Sequence, residues 1–208
     1  MIEYSEKSTL AIENFNALAV KSASFWSDDE VSSIRIEIKK HYIRAQKFKC
    51  PYCGREYPTT NASVWDAEHV IPKKICPEFM FVAQNLAAAC KDCNISKKDV
   101  EVRVNPKRKT FPTRSEDYTI VHPHFDILDD HIGSMGPIYY PLSSKGAETI
   151  FRCNLGRFTI QQLGSGLGRF ADPVLVKIIS GLNSATSKIE AKAMVSAIER
   201  YIDESTEE

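Results

Sequence analysis

Two Cys-x-x-Cys pairs constrain the fold of this chain more than any other feature. Cys50-Pro-Tyr-Cys53 and Cys90-Lys-Asp-Cys93 are separated by 36 residues. Zinc binds four thiolates in a tetrahedron, and each Cys-x-x-Cys turn presents two thiolates from one tight knuckle. Gly54 suits the tight turn of the first knuckle. We therefore predict a structural Zn²⁺ site, with no open coordination position, that holds both ends of a long insert.

Two other uses of these cysteines stay open at this point, namely buried free thiols and one redox-active pair. The remaining cysteines, Cys76 and Cys153, lie outside the pattern and are expected to be small buried hydrophobes. The first residues are acidic where a secretory signal would be basic and then apolar, and no apolar run approaches the roughly 18 residues of a membrane span. We expect a cytoplasmic protein without a membrane segment, in which reduced thiols favour a metal site over disulfides.

The charge of the chain is divided unevenly along its length. All 208 residues together carry 27 basic and 27 acidic side chains, but residues 31–114 carry 17 basic and 8 acidic ones. A basic middle between acidic flanks is typical of a surface that meets a polyanion, most often nucleic acid, although a solvated lysine-rich face is the simpler alternative. With 43% hydrophobic and 26% charged residues, the composition excludes disordered and fibrous classes.

Periodicity and composition predict an α+β fold in three parts. Residues 8–47 are predicted to be mostly helical, with a second helix that starts at Ser27-Asp28-Asp29-Glu30. Residues 117–160 are predicted to be extended because they are rich in β-branched and aromatic residues. The segments PVLVKIISGL and SATSKIEAKAMVSAIERYID are predicted to be helical, the latter with Ile189 on its apolar face. The parts are a helical lead (1–47), a zinc-clasped core (48–115) and a β-plus-helix extension (116–208).

Three short motifs lie between and just after the cysteine pairs. They are Glu68-His69-Val-Ile-Pro72-Lys73, then Asn85-Leu86, then Cys90-Lys-Asp-Cys93-Asn94-Ile-Ser-Lys97. In order and spacing the segment 48–100 resembles the HNH (ββα-metal) endonucleases, in the subgroup whose zinc knuckles clamp both ends of the core. The resemblance implies a ββα-metal fold and a metal-dependent hydrolase of nucleic-acid phosphodiester bonds.

The resemblance assigns a role to each of four residues. It makes His69 the general base that takes a proton from the attacking water, and it makes Glu68 and Asn94 ligands of a catalytic divalent metal. Asn85 would hold the loop that orients the histidine. Elementary chemistry agrees with these roles, because histidine is the side chain best matched to proton transfer near neutral pH, and oxygen ligands suit a hard cation.

Local geometry adds two conditions to these roles. In a helix, Asn94 and Lys97 would share a face beside the second zinc knuckle. On a regular strand, adjacent residues point to opposite sides, so Glu68 and His69 can serve one phosphate only where the strand ends or is distorted. Asp66 shares the side of Glu68 and is the substitute metal ligand. Because Lys98 stands where some family members carry a further histidine, two protein ligands and several waters would suit Mg²⁺ or Mn²⁺.

Three lysines, Lys73, Lys97 and Lys98, are the candidate contacts to nucleic-acid phosphates, with ordinary solvation as the alternative for each. A second group of histidines and aspartates lies in the predicted extended segment and includes His122, His124 and His131. A polar turn is the favoured interpretation of that group, and the alternatives are a second metal site or a contribution to the active site.

The layout of the core and this later segment is similar to HNH effector subunits of Septu-type anti-phage systems, which implies an ATPase partner. The sequence thus predicts an HNH endonuclease that acts on DNA rather than RNA, with structural Zn²⁺ and catalytic Mg²⁺ or Mn²⁺. A zinc-structured module that binds nucleic acid or a protein partner without catalysis is the competing hypothesis, and an RNA-directed nuclease is a third.

Overall fold

The computed structural model describes residues 2–166, 177–178, 181–182 and 185–205. The chain divides into two compact units: the first comprises Met1–Tyr118 with His122–Phe125, and the second comprises Thr119–Val121 with Asp126–Glu208. No helix in the described part of the chain combines the length and the apolar character that a membrane span requires. The division into three parts at residues 47 and 115 stays a prediction.

The first unit begins with helices, as the sequence predicts. They are α1 (Glu6–Ala17) and α2 (Val31–Ala45), with a 3₁₀ turn (Ala23–Ser27) between them. Ile34 and Ile38 on one face of α2 are buried, as is Ile43 near its end, and this burial outweighs the β-propensity of branched residues. The start of α2 differs from the prediction: Ser27 ends the 3₁₀ turn, and α2 begins at Val31 without a side-chain cap.

The centre of the first unit is a ββα arrangement, in agreement with the predicted core. It consists of β1 (Trp65–His69), β2 (Leu86–Cys90) and α3 (Lys91–Lys97). The strands are antiparallel, with Trp65 opposite Cys90 and His69 opposite Leu86. All five residues of β2 are buried, and α2 packs against both strands. The three alanines of β2 leave room for this close packing.

A glutamine side chain continues the β1–β2 ladder on the outer edge of β2. The Gln46 amide accepts a hydrogen bond from Ala88 N at 2.9 Å and donates one to Ala88 O at 2.7 Å. A strand edge that is buried without partners would leave both backbone groups unsatisfied. Gln46 follows α2 directly, so its side chain also fixes the end of that helix against the sheet.

The prediction that residues 117–160 are extended is confirmed for two short strands of the second unit and is wrong for the rest of that segment. The elements of the second unit there are α4 (Leu128–His131), β3 (Ile132–Met135), β4 (Ile138–Pro141), α5 (Ser144–Arg152) and α6 (Arg157–Gly166). The segment ETIFRCNLGRFTI is mainly helical despite its branched residues, because Ser143 caps α5 by accepting a hydrogen bond from Gly146 N. Residues 117–131, of which 117–118 and 122–125 belong to the first unit, form no strand apart from an isolated bridge at Tyr118, and Pro123 cannot donate to a strand ladder.

The C-terminal helix agrees with the predicted periodicity. It is α7 (Lys188–Ser205). Its buried residues Ala191 and Ile198 belong to an apolar cluster with Leu182 and Ala185, whereas Ile189 is 83% exposed, so the prediction of Ile189 on the apolar face is wrong. Most of PVLVKIISGL lies outside the described residues, and of that segment 177–178 and 181–182 are helical.

Replacement of Gln46 by alanine should destabilise the first unit by about 1–3 kcal/mol, because two buried backbone groups of Ala88 lose their partner. Urea unfolding followed by circular dichroism measures this change. The matched control is Gln84→Ala, since Gln84 is exposed, and it should stay within about 0.5 kcal/mol of the wild type. Equal stabilities of the two variants would contradict the role given to Gln46.

Candidate active site

The four paired cysteines meet in one buried cluster. Cys50, Cys53, Cys90 and Cys93 each offer a sulfur, and these sulfurs all lie within 4.8 Å of one another. A zinc–sulfur distance of about 2.3 Å in a tetrahedron places the sulfurs about 3.8 Å apart. The first knuckle turns at Gly54, whose φ of +68° lies in the left-handed region, and Gly54 N donates to Cys50 O at 2.9 Å.

The four buried thiols of this cluster cannot all ionise unless a cation is bound. Burial raises the pKa of the Cys50 thiol well above its ordinary value, while hydrogen bonds from the other three cysteines lower the pKa of Cys90. Four adjacent buried thiolates are stable only when a cation neutralises them, and Zn²⁺ prefers this all-sulfur tetrahedron. The cluster therefore fits a structural zinc clasp, whose four residues connect the loop before β1 with the junction of β2 and α3.

The clasp places α3 beside β1. Asn94 Nδ2 donates a hydrogen bond to Asp66 Oδ2 at 2.9 Å. The same face of α3 carries Lys97, one turn further on, as helical spacing predicts. Asp66 and Asn94 both line one cleft of about 570 Å³. The structure thus brings together an amide and a carboxylate, the oxygen-ligand types that a hard divalent cation prefers.

Glu68 is buried in a polar cluster at the floor of this cleft. Its Oε1 accepts hydrogen bonds from Tyr52 Oη at 2.9 Å and from Lys97 Nζ at 2.7 Å. Lys97 Nζ also donates to His69 O at 3.1 Å. The Glu68 and Lys97 side chains are 3% and 1% exposed, so their charges neutralise each other in a poorly hydrated environment. Oε2 of Glu68 remains the oxygen that could ligate a metal.

His69 ends β1 and lines the same cleft. The end of the strand at this residue meets the condition under which Glu68 and His69 can serve one phosphate. His69 Nε2 lies 3.0 Å from Met80 O. A carbonyl oxygen only accepts hydrogen bonds, so Nε2 carries the proton and Nδ1 keeps a lone pair. Burial, followed by the charge of Lys73, lowers the pKa of His69 to about 3. The ring is therefore neutral near pH 7.

Asn85 is fully buried and holds the loop that follows His69. Its Oδ1 accepts a hydrogen bond from Ile71 N at 2.7 Å, and its Nδ2 donates to Ile71 O at 3.1 Å and to Phe79 O at 3.0 Å. Phe79 precedes Met80, the residue whose carbonyl fixes the His69 ring. Asn85 therefore lies where it can orient the histidine through the loop.

The three candidate phosphate contacts occupy different environments. Lys98 is exposed and Lys73 is half-buried, and both line the cleft. Lys97 differs from its prediction: it is buried, and its ammonium is held by Glu68 and by His69 O. Its position suits the support of Glu68 better than a contact with a phosphate.

Residues before the clasp also line the cleft, and sequence analysis missed them. The Trp26 ring lies against the His69 ring edge to face, with centroids 4.4 Å apart, and Lys73 Nζ lies 5.9 Å from the Trp26 ring centroid. Arg35 and Lys39 of α2 line the same cleft. A tryptophan followed by two cations at helical spacing is the signal in the sequence, but nothing in it shows that α2 packs beside His69.

Among the described residues, the cysteine cluster is the single group of side chains placed to hold a metal ion, and the second group of histidines forms no such site. In the first unit, His124 Nε2 lies 2.7 Å from Leu86 O. In the second unit, His131 Nδ1 lies 2.7 Å from Ser143 Oγ, next to the Asp126–Lys145 ion pair. The interpretation as polar turns agrees with these contacts.

The cysteine clasp, the ββα arrangement and the histidine at the end of β1 coincide with a known family. The family model of HNH endonucleases matches residues 50–99. Residues 50–99 are thus similar to an HNH endonuclease domain, and this segment is called the HNH domain below. The match starts at the first clasp cysteine and covers about a quarter of the chain. No curated protein and no solved structure matches the chain. The HNH domain supports a nuclease-like function that acts on nucleic acid with divalent metals.

Removal of one clasp sulfur should destabilise the HNH domain. Cys53→Ser should lower the zinc content, expected at one ion per chain, and the melting temperature, because metal-binding free energy is folding free energy in such sites. Elemental analysis and thermal unfolding measure both. Cys76→Ser, outside the clasp, is the control and should retain its zinc. An unchanged zinc content and melting curve for Cys53→Ser would rule out the clasp.

Replacement of Lys97 by methionine should destabilise the HNH domain by about 3–5 kcal/mol, because Glu68 would remain buried without its counter-charge. Chemical denaturation measures the change. Lys98→Met, at the exposed neighbouring position, should have an effect below about 0.5 kcal/mol. The double variant Glu68→Gln/Lys97→Met should recover part of the loss. A Lys97→Met protein as stable as Lys98→Met would show that the ion pair contributes little.

Proposed function

We propose that this chain is a metal-dependent endonuclease that hydrolyses nucleic-acid phosphodiester bonds, DNA rather than RNA, with His69 as the general base. The observation that carries the proposal is the position of the His69 ring in the cleft, together with the hydrogen-bond partner of its Nε2. Its Nε2 faces the carbonyl of Met80, and its ring lies in a cleft with carboxylates, an amide and several cations. This arrangement supports proton transfer beside a phosphate.

The lone pair on His69 Nδ1 takes the proton of the attacking water in this proposal. The neutral ring is the form that accepts a proton, and burial together with the charge of Lys73 favours that form by lowering the pKa of His69. The hydrogen bond to Met80 fixes the tautomer, and the loop held by Asn85 fixes the position of Met80. Asn85 is thus a positioning residue, which acts on the base through the loop.

Glu68 and Asn94 are the proposed ligands of the catalytic Mg²⁺ or Mn²⁺, and Asp66 beside Asn94 is the substitute ligand for Glu68. When bound, such an ion supplies charge stabilisation at the scissile phosphate and at the leaving oxygen. Lys97 holds the Glu68 carboxylate in place. Lys73 and Lys98 would contact flanking phosphates as solvent-accessible cations.

The expectations of a cytoplasmic location, of a role in anti-phage defence and of an ATPase partner depend on the sequence layout. No match with a curated protein supports the resemblance to Septu-type effectors. The cytoplasmic location, the defence role and the ATPase partner remain predictions. The chemistry proposed for the cleft does not depend on them.

His69→Ala should reduce cleavage of supercoiled plasmid by a factor of about 10²–10⁴, the usual contribution of a general base. The assay compares added Mg²⁺, added Mn²⁺ and no added divalent ion, with single-stranded DNA and RNA as further substrates. His41→Ala, outside the cleft, is the control and should cut like the wild type. Zinc content and circular dichroism should be unchanged in both variants.

Cleavage that survives in a folded His69→Ala protein would refute the assignment of the base. Wild-type protein that binds these nucleic acids and never cuts them with either metal would favour the competing hypothesis of a binding module. Preferential cleavage of RNA would correct the substrate class and leave the role of His69 intact.

A further inference from the structure

One wall of the active-site cleft is built from residues that precede the HNH domain. Helix α2 and the 3₁₀ turn before it contribute five lining residues, which we call the α2 wall: Trp26, Ser32, Arg35, Ile36 and Lys39. The opposite wall comes from β1, α3 and the loop after His69. Both walls belong to the first compact unit, so α2 is part of the same folded body as the catalytic residues.

The side chains that line this cleft carry a net positive charge, with five cations (Arg35, Lys39, Lys73, Lys97 and Lys98) and three carboxylates (Asp66, Glu68 and Asp99). Glu68 is neutralised by Lys97, and Asp99 pairs with Lys74 at 2.6 Å. The ion pairs found among the described residues leave Arg35 and Lys39 without a carboxylate partner. Two unneutralised cations beside a catalytic base attract an anionic substrate into the cleft.

The spacing of Arg35 and Lys39 matches a nucleic-acid strand. Positions i and i+4 lie on one face of a helix and are about 6 Å apart along its axis. One strand of duplex DNA carries a phosphate about every 3.4 Å of helix axis. Because the strand also winds around that axis, neighbouring phosphates lie farther apart than this rise, at about the separation of the two side chains.

Arg35 is held in place before any substrate arrives. Its Nη1 donates to the carbonyl oxygen of Trp26, and the Trp26 ring contacts His69. A guanidinium fixed at one nitrogen keeps further N–H donors for a phosphate and loses less entropy on binding. Trp26 therefore connects Arg35, the candidate phosphate contact, to His69, the proposed base.

We propose that Arg35 and Lys39 of α2 bind neighbouring phosphates of the substrate strand and so guide that strand across His69. This inference rests on the proposed nuclease function and adds a binding surface outside the HNH domain. The expected ligand is the sugar–phosphate backbone of duplex DNA, read without base specificity.

The test is binding of a short labelled DNA duplex, measured by fluorescence anisotropy without divalent ions between about 50 and 200 mM salt. Lys39→Gln is compared with Lys40→Gln, because Lys40 is the next residue on α2, is exposed and does not line the cleft. Arg35→Lys is compared with Arg44→Lys in the same way. Circular dichroism checks the fold of each variant.

Lys39→Gln should weaken binding about eightfold at 0.1 M salt and reduce the slope of log Kd against log salt by about 0.9, the contribution of one phosphate contact. Lys40→Gln should bind like the wild type. Equal affinities and slopes for the Lys39 and Lys40 variants would overturn the inference, as would a wild-type protein that does not bind the duplex.

The plasmid cleavage assay distinguishes a failure of this inference from a failure of the proposed nuclease function. Cleavage by a wild-type protein whose Lys39 and Lys40 variants bind alike would refute the α2 wall and leave the nuclease intact. Binding that depends on Lys39, together with no cleavage by the wild type, would retain the α2 wall as a nucleic-acid surface and refute catalysis.

Discussion

The arrangement of the catalytic cleft depends on the four-cysteine clasp. Its sulfurs connect the loop before β1 with the start of α3, so the helix that carries Asn94 and Lys97 is fixed against the strand that carries Asp66 and Glu68. A seven-residue helix is too short to be stable by itself in water. Packing against β1 and the zinc that the cysteine cluster fits would supply that stability, and they would hold Asn94 within hydrogen-bond distance of Asp66.

Buried charge is the second constraint on the site. Glu68 lies beneath the cleft with Tyr52 and Lys97 as its partners, while His69, at the end of the same strand, is kept neutral by burial and by nearby lysines. Two adjacent residues of β1 thus differ in their electrostatic surroundings: Glu68 is paired with Lys97, and the His69 ring is neutral. The proposed mechanism uses this difference, with Glu68 as a metal ligand and His69 as the base.

The sequence predicted the parts of the site that lie close together along the chain or follow a fixed spacing. The clasp, the ββα order and the placement of Asn94 and Lys97 on one face follow from local patterns. The burial of Lys97 and the position of Trp26 against His69 could not be predicted, because they depend on packing between elements distant in sequence. Branched residues suggested strands where Ser143 caps a helix, since one capping hydrogen bond and tertiary packing outweigh weak propensities.

The most direct test of the account is anomalous diffraction from crystals of the protein grown with Mn²⁺. The account predicts a zinc peak at the centre of the four cysteine sulfurs and a manganese peak ligated by Glu68 and Asn94, on the side of the cleft that faces His69 Nδ1. A zinc peak without manganese in the cleft, or manganese bound away from these residues, would contradict the proposal that this cleft is a metal-dependent nuclease site.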